Sequence, residues 1–160
     1  MKLTITAIAC AFALSALALT ASAAQTSYTL SGTCKVSTQK SIQTGETGRT
    51  FAVSTGKCTD KETINGEAST GGQYAEYSDS TATQTKSSGI YAVTFKSGDK
   101  ILYQYDITLA MKGNTVESGS GTFSAISGTG KMKGIAAKGT CTFSAGPAPM
   151  TNNFTCTGSY

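Results

Sequence analysis

Three acidic residues fall in segments that the alternation of apolar and polar residues predicts as β-strands, namely Glu67, Glu76 and Asp106. A carboxyl group that is buried beside a cavity could act as a general acid or base. Asp106 has the parity of the polar face of its strand, so we expect it to be exposed. Glu76 has the parity of Tyr74, which makes it the candidate for an inward-facing carboxylate. These positions alone identify no catalytic residue.

The chain contains no histidine, and this excludes several kinds of site. Serine and cysteine hydrolases of the usual form need an imidazole base, and histidine is the commonest ligand of metal ions in proteins. We therefore expect neither a metal ion nor a cofactor. The formal net charge of +4 is small, and no run of basic residues is interleaved with aromatic ones. We expect no nucleic acid partner.

Residues 1–23 have the three parts of a secretory signal peptide. A single lysine near the start is followed by an uncharged, mostly apolar stretch and then by small residues that a signal peptidase accepts. We predict that this signal peptide, with Cys10, is removed and that residues 24–160 form the mature domain. We expect an exported protein, periplasmic or secreted, with no stable membrane anchor.

The mature chain keeps four cysteines, and hairpin symmetry predicts how they pair. Cys141 and Cys156 lie at equal distances from a turn around residues 146–150, and Cys34 and Cys58 flank a glycine-rich loop in the same way. Residues that face each other across an antiparallel pair have Cα atoms about 4.5–5.5 Å apart, which suits a disulfide. We predict the disulfides Cys34–Cys58 and Cys141–Cys156, in agreement with an oxidising compartment.

Alternation predicts eight or nine β-strands and no helix in the mature chain. The longest pattern puts six large side chains on one strand face: Ile101, Tyr103, Tyr105, Ile107, Leu109 and Met111. Polar and glycine-rich stretches predict a loop over residues 39–50, a turn at Gly71-Gly72 and a loop over residues 81–88. The fold class is all-β, and we predict a single antiparallel up-and-down β-barrel of about eight strands, with a β-sandwich as the alternative.

Four aromatic side chains of one predicted hairpin are expected to face the barrel interior: Tyr91, Phe95, Tyr103 and Tyr105. A small eight-stranded barrel can hold one small ligand. Tyrosine offers such a ligand both a ring and a hydroxyl group. We predict these four residues as binding residues for a small apolar ligand. The alternative is that the rings fill a solid core.

One segment near the C-terminus carries a resemblance to known proteins. The residues from Gly121 to Ile135 are GTFSAISGTGKMKGI. They resemble the F-x-x-I-x-G-G-T-G-K-F stretch of the allene oxide cyclase and dirigent β-barrels, and look most like a group of small bacterial exported proteins of unknown function. The resemblance implies eight antiparallel strands around a central cavity. The residues on which the plant members depend lie outside the matching stretch, so it implies no catalytic residue here.

Three functions of different classes are consistent with these observations. The first, which we expect, is a binding module for a small apolar ligand. The second is an enzyme of the cyclase or isomerase kind. The third is an envelope or secreted interaction protein without a small ligand, in which Lys131, Lys133 and Lys138 contact an anionic surface. The sequence indicates no oligomeric state.

Overall fold

The computed structural model describes residues 25–160, so the predicted signal peptide and Cys10 lie outside the described residues. This part of the chain forms nine β-strands and one 3-10 turn, Gly130–Met132. The strands are β1 Ser27–Gln43, β2 Thr50–Lys61, β3 Thr63–Ile64, β4 Glu67–Ser80, β5 Gln84–Phe95, β6 Lys100–Lys112, β7 Thr115–Gly128, β8 Lys138–Ala145 and β9 Thr151–Ser159. Between residues 25 and 160 no helix combines the length and the apolar character that membrane crossing requires.

Eight of the strands close into a barrel, and every pairing is antiparallel. Neighbours along the chain pair in sequence order, except that β2 pairs with β4 because β3 is a two-residue strand outside the barrel. The sheet closes where β1 pairs with β9. The predicted up-and-down barrel is confirmed, and the alternative of a β-sandwich is wrong. Closure leaves no long edge strand open to pairing with another chain.

Strand β6 shows why the sequence folds in this way. Its predicted apolar face points into the barrel, where Ile101 and Tyr103 are fully buried, and Ile107 and Leu109 are nearly so. The intervening Gln104 faces solvent. Removal of the inward side chains from water supplies the main driving force, and the alternation of the strand sends the polar residues outward.

The two ends of the barrel differ. At one end the glycine-rich segment forms the 3-10 turn and inserts Met132, which is fully buried in the core. The amide of Lys131 donates to Asp99 Oδ2 at 3.0 Å, so the turn between β5 and β6 supports this closure. Gly130 has a φ of 48°, and a Cβ there would lie 2.0 Å from Asp99 Oδ1. This end is closed, whereas four hairpin loops surround the open mouth at the other end.

The predicted turn at Gly71-Gly72 is wrong, and the loops predicted over residues 39–50 and 81–88 are shorter than predicted, because the strands extend into them. β1 runs to Gln43, Gly71 and Gly72 lie inside β4, and β5 begins at Gln84. The register of β4 against β5 shifts between Ser69 and Gly71, so a bulge stands where the turn was predicted. These stretches lack apolar alternation since the barrel wall there is built from small and polar residues.

Candidate functional site

The barrel interior contains an apolar chamber that adjoins a wider and more polar mouth. The chamber has a volume of about 100 Å³, and the mouth has a volume of about 1110 Å³. The side chains that line both spaces mark the neck between them: Cys34, Tyr74, Glu76, Leu109 and Asn152. A molecule that entered from solvent would therefore pass Glu76 before reaching the chamber.

The chamber wall is mostly apolar and aromatic. Rings and aliphatic side chains from seven of the eight barrel strands converge there: Leu30, Tyr74, Tyr91, Tyr103, Tyr105, Ile107, Leu109, Phe123, Phe143 and Phe154. The mouth above it carries the hydroxyl groups of Ser54, Ser78 and Ser87, which are buried against the wall. The lining thus changes from mixed polarity at the entrance to mostly apolar at the bottom, and small-molecule sites in proteins are commonly lined by apolar and aromatic side chains with a few polar groups.

Glu76 is the charged group of this neck. The Tyr105 hydroxyl donates a hydrogen bond to Glu76 Oε2 at 2.9 Å. Burial raises the pKa of the Glu76 carboxyl, because desolvation disfavours its charged form, and the bond from Tyr105 opposes this only in part. The neck thus presents one carboxylate to an interior that is otherwise largely apolar.

Two tyrosine rings each lie over a glycine of the neighbouring strand. The hydroxyl group of each ring bonds to a carboxylate on the strand beyond that glycine. Tyr105 on β6 crosses Gly89 on β5 to reach Glu76 on β4. A Cβ at Gly89 would lie 2.7 Å from the Tyr105 hydroxyl oxygen and 2.7 Å from the Glu76 Cβ. Tyr91 on β5 crosses Gly72 on β4 in the same way. These glycines leave room for the rings on the inner wall, which is the reason for glycine at strand positions where it otherwise weakens a sheet.

Replacement of Gly89 by alanine should displace the Tyr105 ring and separate it from Glu76. We expect the free energy of unfolding to fall by about 1–3 kcal/mol, the usual cost of an overpacked interior. Urea unfolding measures this loss, and Ser120→Ala on the exposed outer face of β7 is the control, with an effect within about 0.5 kcal/mol. A Gly89→Ala protein as stable as the control would contradict the crowding of this position.

Two further carboxylates, those of Asp60 and Glu62, lie nearer the closed end of the barrel and accept hydrogen bonds from tyrosine hydroxyl groups. The Tyr91 hydroxyl donates to Asp60 Oδ2, and the Tyr103 hydroxyl donates to Glu62 Oε1 at 2.6 Å. Glu62 is only 3 % exposed, and its Oε2 has no hydrogen-bond partner in residues 25–160. Burial raises the pKa of Glu62 from 4.5 to about 7. These carboxylates do not line the chamber; they hold the two tyrosine rings that form its lower wall.

The two disulfides join Cys34 to Cys58 and Cys141 to Cys156, as the hairpin symmetry predicts. The Cα atoms are 4.0 Å apart in the first pair and 3.9 Å apart in the second. All four cysteines face inward and line the chamber. The disulfides therefore staple adjacent strands at the level of the chamber, β1 to β2 and β8 to β9.

Of the four predicted ligand-binding residues, Tyr91, Tyr103 and Tyr105 line the chamber, whereas Phe95 does not. Phe95 is 1 % exposed and packs in the solid core. Phe95 therefore lies outside the chamber that the other three residues line, because alternation distinguishes inward from outward positions but does not give the level along the barrel axis. The role of the four residues in ligand binding stays a prediction. That prediction also omits Tyr74 and Phe154, which share the inward parity of their strands.

The other acidic candidates lie on the outside. Asp106 is exposed, as its parity predicts, and accepts a hydrogen bond from Ser88. Glu67 forms an ion pair with Lys131, in which Nζ lies 2.6 Å from Oε1. One of the three lysines predicted to contact an anionic surface thus already has a carboxylate partner.

Comparisons with known proteins add little to this geometry. No protein-family model and no curated protein matches the chain. Among solved structures, a conserved protein of unknown function from Rhodopseudomonas palustris is similar, with 11% sequence identity and a TM-score of 0.44. The match covers 85% of this chain and 97% of the other. Membership of the allene oxide cyclase and dirigent superfamily stays a prediction.

No three histidine, cysteine, aspartate or glutamate side chains come together as a metal site within residues 25–160. The polar groups at the neck are the carboxyl group of Glu76, the hydroxyl groups of Tyr74 and Tyr105, and the amide of Asn152.

Proposed function

We propose that the protein binds a small amphipathic molecule, which enters through the mouth and places its apolar part in the chamber. The observation that carries this proposal is the chamber itself, an apolar space of about 100 Å³ beneath an open entrance. An engineered apolar cavity of about 150 Å³ in another protein is dry and binds benzene. The chamber therefore suits a short alkyl chain or part of a ring.

The closed end of the barrel supports the proposal that the chamber is a binding site formed before its ligand arrives. The buried bond between Tyr103 and Glu62 and the bond between Tyr91 and Asp60 fix the lower wall, so that it does not collapse into the chamber. The disulfides hold the side walls in the same way. A binding site that is formed before its ligand arrives spends little free energy on ordering its own side chains.

A homologous series of straight-chain alcohols from butan-1-ol to octan-1-ol tests the proposal. Each methylene group that enters the chamber should add about 0.8 kcal/mol, or about fourfold in affinity. The gain should stop once the chamber is full, since further methylene groups remain in the mouth. Isothermal titration calorimetry measures the series. Binding that is absent, or that increases without a plateau, would contradict the proposed chamber.

Two tryptophan variants locate the binding. Leu109 lines the neck, so Leu109→Trp should block the chamber and abolish alcohol binding. Ile90 is 42% exposed on the outer face of β5, and Ile90→Trp should leave binding unchanged. Equal binding by the two variants would place the alcohol outside the barrel.

A second candidate is acid–base catalysis by Glu76, which is favoured by its inward position, its raised pKa and its bond to Tyr105. Burial raises the pKa of this carboxyl group, and a carboxyl group with a raised pKa is better suited than an ordinary one to exchange a proton with a bound molecule. In deuterium oxide, such an enzyme would exchange the α-protons of a bound ketone such as hexan-2-one, and Glu76→Gln would abolish the exchange. If Glu76→Gln exchanged these protons as fast as the wild-type protein, the catalytic candidate would fail.

A further inference from the structure

We propose that the ligand is a primary amine, whose ammonium group is held at the neck by the carboxylate of Glu76 while its apolar chain fills the chamber. This inference rests on the proposed function and names the chemical class of the ligand. It is carried by a carboxylate at the neck that has no cationic partner within residues 25–160 and by the distribution of charge inside the barrel.

The Glu76 carboxylate lacks a cationic partner in the described part of the chain. It forms no ion pair with the lysines or the arginine of residues 25–160, and the structure records one hydrogen bond to it, from Tyr105. A carboxylate that is buried without a positive partner costs free energy, because it loses hydration and gains no attractive charge in return. An ammonium group offers three donors and a positive charge, which would supply that partner.

The charge of the interior is opposite to that of the chain. The chain carries 13 lysine and arginine residues against 9 acidic ones, yet none of the basic residues between positions 25 and 160 lines the chamber or the mouth. Glu76 is the one carboxylate among the lining residues of both spaces. A cation in the neck would therefore meet an attractive charge and no lysine or arginine among these lining residues.

Aromatic rings surround the same place. Tyr74 and Tyr105 lie beside Glu76 at the neck, and Tyr91, Phe143 and Phe154 line the chamber below it. The face of an aromatic ring attracts a cation within about 6 Å of its centre, and the attraction is stronger when water is excluded. A carboxylate among tyrosine rings thus favours an ammonium group over a neutral hydroxyl group or an anion.

The test compares ligands that differ only in their head group. At pH 7, hexan-1-amine is protonated, hexan-1-ol is neutral and hexanoate is negative, while the alkyl chain is the same. By calorimetry we expect the amine to bind about tenfold more tightly than the alcohol, the effect of one charge-assisted hydrogen bond in a buried site. Hexanoate should bind more weakly than the alcohol. Hexyltrimethylammonium, which has no N–H donors, should bind more weakly than the amine.

Glu76→Gln supplies the matched variant, and Glu117→Gln on the exposed part of β7 is the control with the same change in net charge. Glu76→Gln should weaken amine binding about tenfold more than alcohol binding, so that the preference for the amine is lost. The alcohol binding that remains shows that the chamber is still formed. Glu117→Gln should change neither affinity. If the wild-type protein bound the amine no more tightly than the alcohol, or if Glu76→Gln kept the preference, the amine proposal would be overturned while the proposed function stood. Failure of both ligands to bind would overturn both.

Discussion

The free energy of unfolding should fall by about 3 kcal/mol as the pH is raised from about 4.5 to about 7, because of Glu62 alone. In the unfolded chain this carboxyl group has an ordinary pKa and loses its proton over the lower part of that range. In the folded barrel, burial holds its pKa at about 7, so the folded state keeps the proton longer. The folded state therefore binds more protons than the unfolded state within this window, and stability decreases with rising pH.

The variant that isolates this effect is Glu62→Gln, which keeps the shape of the side chain and has no charge to titrate. Urea unfolding of both proteins between pH 4 and pH 8 measures the difference at each pH, and other titrating groups cancel from that difference. We expect the variant to be close to wild type near pH 4 and more stable than wild type by up to about 3 kcal/mol at pH 8. If the free energy of unfolding depended on pH in the same way in both proteins, burial would not raise the pKa of Glu62 in the barrel, and this would contradict the prediction.

Loss of either disulfide should destabilise the barrel by an amount set largely by the loop that it closes. The Cys34–Cys58 bridge spans 24 residues and the Cys141–Cys156 bridge spans 15, so chain entropy predicts about 3.5 and about 3 kcal/mol. The variants are Cys34→Ala with Cys58→Ala, and Cys141→Ala with Cys156→Ala. Each also removes two buried sulfur atoms from the chamber wall, which adds to the loss.

Urea unfolding under non-reducing conditions measures these losses, and the wild-type protein with added reductant is the comparison. Reduction of the wild-type protein removes both constraints but keeps the sulfur atoms in place, so it separates the entropic effect from the packing effect. We expect reduction to cost more than either double variant. A double variant within about 0.5 kcal/mol of wild type would mean that its bridge does not constrain the unfolded chain.

The barrel and its two disulfides could be predicted because they follow from local sequence patterns. Strict alternation over β6 assigns its inward face, and the symmetry of the β8–β9 hairpin places Cys141 opposite Cys156. The parity of Glu76 with Tyr74 indicates its inward position, and both line the neck. Each of these inferences needs only the period of a strand and the position of a turn.

The rest of the site depends on how distant strands pack, and the sequence alone does not reveal this. Gly72 and Gly89 suggest turns or weak strands, but they are needed where the rings of Tyr91 and Tyr105 cross the wall. Glu62 is polar and follows a lysine, so no local pattern indicates that it is buried and bonded to Tyr103, 41 residues away. Some inward-facing residues of a barrel with a cavity are polar or glycine. Hydrophobic periodicity does not identify these residues as inward-facing.

An ion pair beside the mouth also depends on residues that are distant in the sequence, so local patterns do not predict it. Arg49 forms two hydrogen bonds with Asp79, at 2.9 Å from Nε and 2.8 Å from Nη2. This fixes the loop between β1 and β2 against the end of β4, beside the entrance. The pair is 30 residues apart in the chain, and only the closure of the barrel between β2 and β4 brings it together.

Nuclear Overhauser effects between bound hexan-1-ol and the protein would show whether the barrel holds a small molecule in its chamber. Binding in the chamber predicts contacts from the alkyl protons to the rings of Tyr91 and Phe154, which line the chamber. It predicts none to Ile42 or Phe51, which are exposed on the outer surface. Contacts confined to Ile42 and Phe51, or no contacts at ligand concentrations that saturate binding, would contradict it.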